Sequence, residues 1–238
     1  MVDYSKIISA CEESKHLISM VSIERIVSLG YRIGLDKNKS VLDFCCGYGT
    51  MLKIWNEAFD ISGVGIDRDA SFIKTGSARL INDCIKLITG DVLAYDNEEK
   101  YDVVVCTELS TGLFNNFSEG IAFLERFVKP GGTLIFGRLF SKIPNPPQEL
   151  IDFDGELPTL REIYDEVKQC GYLIMTMASD NTDAWEQYIF NGTKQAIKKL
   201  RQNPKDVEWA AWNDKWFHIY FDYRRPYEGW ALFAIEKI

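Results

Sequence analysis

Val41-Leu42-Asp43-Phe44-Cys45-Cys46-Gly47-Tyr48-Gly49-Thr50 reads as a buried strand that breaks at a glycine turn and restarts as a helix. Met51, Ile54, Trp55, Ala58 and Phe59 continue at helical spacing, so the turn joins a strand to an amphipathic helix. Glycine lets the backbone approach a ligand closely there, and in an open α/β sheet the strand ends look into the crevice where ligands bind. A tight strand–helix turn with no ligand would carry the same residues, and a short glycine motif does not separate the two readings.

Outward from this stretch, short β-rich runs alternate with helical patterns. Strands are expected at Ser40–Cys45, Gly63–Ile66, Ile85–Thr89, Tyr101–Cys106, Gly132–Gly137, Tyr172–Ala178 and Trp230–Glu236. Ile121, Leu124, Phe127 and Val128 mark a helix that Lys129-Pro130-Gly131-Gly132 stops, and Thr159 with Glu162 forms a capping box for a helix ending at Gly171. Residues 12–34 look helical and are expected to cap a sheet edge or the mouth of the site. The alternation implies βαβ units, right-handed crossovers and a mainly parallel, doubly wound α/β sheet. With no repeat or linker in its 238 residues, the chain reads as a single domain. Its expected parts are a helical cap (1–38), a cofactor-binding core (39–178), a helical lid (179–229) and a last strand (230–238).

Two acids follow the glycine turn in order. Asp67 of Gly65-Ile66-Asp67 ends the second strand 18 residues after Gly49, where a carboxylate can accept bonds from both hydroxyls of a ribose. Asp91 of Gly90-Asp91-Val92 follows the third strand and can accept from an adenine amino group; singly it is an ordinary turn residue. The succession of glycine turn, ribose acid and adenine acid is far more specific than any one member.

Through these motifs residues 39–137 resemble the class I S-adenosylmethionine-dependent methyltransferases. The resemblance implies S-adenosylmethionine as cofactor and a Rossmann-like sheet of seven strands, the last antiparallel, with a helical insertion between strands six and seven. It implies cofactor-binding roles for Asp43, Cys45, Cys46, Gly47, Gly49, Asp67, Arg68, Asp91, Val92 and Cys106. The family generally carries glycine where Cys45 stands, and the fit of the methionine moiety depends on that departure. Trp185-Glu186-x-Tyr188 and Arg225-x-x-x-Gly229-Trp230 are similar to small-molecule-type bacterial members of mostly unassigned substrate.

In such a topology the loops after strands four, five and six, and the whole segment to about residue 229, open on the cofactor face. The segment 179–229 is therefore expected to cover the site and govern acceptor choice, with Trp185, Tyr188, Trp216 and Arg225 in the substrate pocket. Trp209, Trp212, Trp216 and Tyr220 recur at helical spacing, as a pocket wall or as the buried face of an amphipathic helix. Arg138, Arg224 and Arg225 are candidates to fork onto an acceptor carboxylate, or to sit in ion pairs. Methyl transfer from a sulfonium needs alignment and water exclusion more than a dedicated catalyst; Glu108 and Arg225 are the candidates for any catalytic role.

Composition narrows the alternatives. The net charge of −8 argues against a nucleic-acid backbone or an anionic membrane as main partner, leaving room for a local basic cleft. The loop after the fourth strand, Thr107-Glu108-Leu109-Ser110, lacks an Asn/Asp-Pro-Pro-Tyr-like tetrad of nucleic-acid methylation. Six cysteines without paired spacing and two histidines offer no metal site and fit reduced, cytoplasmic thiols. No signal peptide or membrane span is expected. An NAD-dependent dehydrogenase shares the strand–glycine–helix unit, but Leu52 stands where the dinucleotide fingerprint has its third glycine or alanine. An aminopropyl transferase, or a protein that binds S-adenosylmethionine or S-adenosylhomocysteine without turnover, shares the cofactor motifs.

Overall fold

A computed structural model describes residue 17 and residues 19–80, 83–107 and 113–238. Its centre is one sheet of seven strands: β1 (Ser40–Phe44), β2 (Ser62–Asp67), β3 (Ile85–Thr89), β4 (Tyr101–Cys106), β5 (Val128–Ser141), β6 (Tyr172–Ser179) and β7 (Glu228–Lys237). They lie in the order β3-β2-β1-β4-β5-β7-β6. The pairs among β3, β2, β1, β4 and β5 are parallel. β7 runs antiparallel to both neighbours, β5 and β6. The order reverses at β1, so the crevice between the tips of β1 and β4 is the expected ligand site.

Strand side chains alternate between two cores, as a period of two requires when both faces are covered. Val41, Val103, Val105, Ile135, Leu232 and Ala234 pack on one face with Ile26 and Leu29 of α1 (Ile23–Arg32), and with Leu52, Trp55 and Phe59 of α2 (Thr50–Phe59). Leu42, Val104, Phe136 and Phe233 pack on the other with α4 (Phe117–Leu124) and α6 (Leu160–Gln169). α3 (Ala70–Ser77) connects β2 to β3, and α5 (Gln148–Asp154) follows β5. The Trp55 indole donates to the Ile26 carbonyl at 2.9 Å, tying α2 to α1.

The capping box of Thr159 and Glu162 is present, and Asp69 caps α3 by accepting from the Ser71 amide. Other expectations need correction. The N-terminal helix starts at Ile23, because Ser22 holds an extended backbone, and it ends before Gly34 at φ 71°; residues 12–16 lie outside the described set. The fifth ladder begins earlier than Gly132: Val128 already pairs with Tyr101, and the next pair is Thr133 with Val103. The residues between bulge out, since Pro130 has no N–H to give and Gly131 sits at φ 73°. Lys129 reaches from this bulge to Asp102 at 2.7 Å.

Between β6 and β7 the chain builds α7 (Thr182–Gln202), α8 (Val207–Ile219) and one π-helical turn, Tyr220–Arg224. Trp209 and Trp212 are buried against Ala196 and Leu200 of α7, and Trp216 stacks on Trp212 at 5.6 Å. The tryptophan stripe is the face on which α8 packs.

Candidate cofactor and acceptor site

Beyond Phe44 the chain turns so sharply that three residues of the loop hold positive φ: Cys45 (58°), Gly47 (55°) and Gly49 (67°). The two glycines take this conformation freely, whereas Cys45 holds it against its Cβ. The Gly49 amide donates to the Cys46 carbonyl at 2.8 Å, closing the turn as α2 begins. Asp67 fastens the loop from the neighbouring strand. Its Oδ2 accepts from the Gly47 amide at 2.8 Å and its Oδ1 from the Asp69 amide at 2.9 Å. Two carboxylate oxygens offer about four acceptor positions, so these bonds leave room for ligand hydroxyls. Cys46 seats on Gly65, where a Cβ would stand 2.7 Å from its Sγ.

The loop forms one wall of a cavity of about 610 Å³. Asp43, Cys45, Cys46, Gly47, Asp67, Arg68, Asp91 and Val92 all line it. Gly49 and Cys106 are not among the lining residues: Gly49 starts the helix, and Cys106 is fully buried in the core beside it. Asp91 keeps its turn role as well, its Oδ1 accepting from the Leu93 amide at 2.9 Å. Tyr188, on α7, lines the cavity; Trp185, Trp216 and Arg225 do not. Trp185 is buried in the core and stacks on Tyr220, Trp216 lies against Arg224 and Phe153, and Arg225 pairs with Glu186 at 3.2 Å. Glu108 lies outside the described residues.

Sequence reading missed part of the wall. Tyr48 and Phe72 bring their rings within 4.7 Å of each other. Leu17, Ser19 and Ile26 arrive from the N-terminal segment, Thr107 and Leu113 from the β4 loop, and Leu232 from β7. A local signal existed for Tyr48, inside the motif, and for Ile26, on the apolar face of a helix expected near the mouth. None existed for Leu232, whose neighbours are set by strand order.

The electrostatics are those of a cation site. Asp43 is buried at the cavity wall, and its Oδ1 has no hydrogen-bond partner among the described residues. Burial, and then the like charge of Asp67, push its carboxyl well above the ordinary carboxylate range. A buried carboxylate left this way favours a positively charged occupant. Cys46 is a neutral thiol, raised by burial and then by Asp43 and Asp67. These residues fit S-adenosylmethionine, which carries an ammonium and a sulfonium. No group of His, Cys, Asp and Glu among the described residues forms a metal site.

A doubly wound sheet with an antiparallel seventh strand, a glycine loop after β1 and acids at the ends of β2 and β3 is a Rossmann-like fold of methyltransferase type. Residues 41–132 match the family model described as "Methyltransferase domain". Two solved structures cover all of this chain at 24% identity. They are S-adenosylmethionine-dependent methyltransferases of Geobacter sulfurreducens (TM-score 0.89) and Thiobacillus denitrificans (0.88), each matched over its full length and each in complex with S-adenosyl-L-homocysteine. A malonyl-[acyl-carrier protein] O-methyltransferase of Priestia megaterium is 23% identical over 166 residues; the match spans 69% of this chain and 56% of that relative. Over residues 41–132 the chain matches the methyltransferase-domain family, and over its whole length it has the fold of these S-adenosylmethionine-dependent methyltransferases. These matches weigh against the dehydrogenase reading. Leu52, at the position of the missing glycine, is buried against the strand, and the small residue of that contact is Gly63 on β2.

Proposed function

We propose that the protein transfers the methyl group of S-adenosylmethionine to a small, uncharged and largely apolar acceptor. One observation carries this reading: the cavity changes character along the sheet. At the tips of β3, β2 and β1 it is acidic, with Asp91, Asp67 and Asp43. Toward β4 and β7 the described lining residues are Thr107, Leu113, Leu232, Tyr188 and Ile26, with no charge among them. None of the arginines that would fork onto a carboxylate lines the cavity. Arg224 binds Asp154 through Nε at 2.8 Å and also through Nη2, Arg225 binds Glu186, and Arg138 lies over the Phe117 ring at 5.3 Å.

When bound, S-adenosylmethionine supplies a methyl already activated on a positive sulfur. Asp67 then serves the ribose hydroxyls, Asp91 the adenine amino group, and Asp43 the positive charge of the donor. Ile26, Leu113 and Leu232 exclude water, and the Tyr188 hydroxyl is the polar group on α7 that orients an acceptor. α7 and α8 act as the lid.

The test has two arms. Calorimetry is expected to show S-adenosylhomocysteine binding and no NAD binding. With methyl-labelled S-adenosylmethionine, neutral aromatic or aliphatic nucleophiles should take the label and simple carboxylates should not. Tyr188→Ala should raise the acceptor KM while leaving S-adenosylhomocysteine affinity within about threefold. Cofactor binding with no transfer to any acceptor would favour a sensor without turnover.

A further inference from the structure

The lid helix α7 has a second face, and its composition is unlike that of the rest of the molecule. Residues 187–205 hold Lys194, Lys198, Lys199, Arg201 and Lys205, five of the 27 cations in the chain, and none of its 35 acids. All five are exposed. Helical spacing gathers Phe190, Lys194, Ile197, Lys198 and Arg201 along one side of α7. Tyr188 points to the other side and lines the cavity.

The apolar members of this stripe are not tucked away. Phe190 is 41% exposed, Ile197 45% and Phe221, on the π-helical turn, 47%. Phe190 lies 5.4 Å from Phe217, which stacks on Phe221 at 5.5 Å, so the three rings form one continuous ledge beside the cations. Of the acids nearby, Asp183 and Glu186 stand on the first turns of the same side of α7, Glu186 paired with Arg225 at 3.2 Å, and Asp222 is hydrogen-bonded to His218 at 2.6 Å.

We propose that this face docks the protein on an anionic lipid bilayer, with Phe190 and Phe221 in the interfacial layer and Lys194, Lys198 and Arg201 on the phosphates. Long cationic stems beside exposed aromatic rings match such an interface, where the charge stays with the headgroups and the rings reach the acyl boundary. The cations and exposed rings lie on one helix and the turn beside it, and none of them lines the cavity. A bilayer receives such a face without a preformed groove, whereas a folded acidic partner would need one to bury the rings. A second copy docking by two-fold symmetry would set the same cations against each other. The net charge of −8 opposes approach by the rest of the molecule, so the attachment is weak, reversible and oriented by this face. It would attach the protein at the membrane surface without inserting a helix.

The test is co-sedimentation of the intact protein with vesicles of phosphatidylglycerol and phosphatidylcholine, against vesicles of phosphatidylcholine alone. Binding is expected only to the anionic vesicles and should fall at least tenfold in 0.5 M salt. The triple variant K194E/K198E/R201E should lose at least tenfold in bound fraction while keeping S-adenosylhomocysteine affinity, which separates loss of docking from loss of fold. Phe190→Ser, which keeps every charge, should lose several-fold. No binding to anionic vesicles, or equal binding by the triple variant, would overturn the proposal. Binding to polyglutamate but not vesicles would do the same, as would a dimer in light scattering that Phe190→Ser dissolves.

Discussion

Asp67 accepts one backbone bond that fixes the glycine loop and one from its own turn, and in the proposed function it also accepts the ribose hydroxyls. Asp91 holds only its own turn. Asp67→Ala should therefore weaken S-adenosylhomocysteine binding by about 3 kcal/mol or more, through lost charge-assisted bonds and a slackened Gly47 amide. Asp91→Ala should cost about 1–1.5 kcal/mol, and calorimetry on the two variants checks the order. Equal, negligible losses would place the ligand elsewhere. These acids were legible in the sequence because their chemistry demands one residue type at the tip of a strand. Phe72 and Leu232 were not, because any apolar residue satisfies the local pattern and only tertiary packing selects these.

The insertion between β6 and β7 is pinned to the sheet by a buried charge cluster. Arg224 is clasped by Asp154 and lies 3.4 Å from Glu228, with its guanidinium between Phe153 and Trp216. Burial, then repulsion by Asp154, raise Glu228 from 4.5 to about 8, against the pull of Arg224. The fold thus prefers the protonated acid. That contribution to stability is whole below about pH 4.5 and is lost as the pH rises through about 8. Glu228→Gln, which cannot ionise, should match the wild type near pH 5 and unfold several degrees higher at pH 9, a gain of about 1–3 kcal/mol. Thermal unfolding at the two pH values decides it. Periodicity announced the apolar stripe of α8. It named which face was apolar and not what that face would meet, so Trp216 was assigned to an acceptor pocket when it packs between Trp212 and Arg224. Trp185 likewise stacks on Tyr220 in the core, and Trp185→Ala should destabilise the protein by about 3–5 kcal/mol, measured by denaturant unfolding.

At the scale of the whole molecule, the cavity draws its wall from every strand tip between β3 and β4, from β7 and from the N-terminal segment. Occupancy should therefore stiffen the entire sheet. At a hundredfold excess over Kd, S-adenosylhomocysteine should add about 2.7 kcal/mol of stability, raising Tm by about 5–10 °C, while NAD should leave it unchanged. Differential scanning fluorimetry reads this directly. The sheet was legible because alternating strands and helices admit few topologies. The N-terminal segment was legible as a helix at a sheet edge or at the mouth of the site, without a choice between the two.

The antiparallel strand has a consequence for synthesis. β7 is the last of the seven to leave the ribosome, yet it sits between β5 and β6 and, among the described residues, is the only strand that β6 pairs with. Until Glu228–Lys237 emerges, β5 is an open edge and β6 a strand without a neighbour, with the insertion still to be placed. The nascent chain must hold a half-built sheet with sticky rims. Ribosome stalling or premature termination ahead of residue 228 should leave an aggregation-prone product rather than a smaller working enzyme.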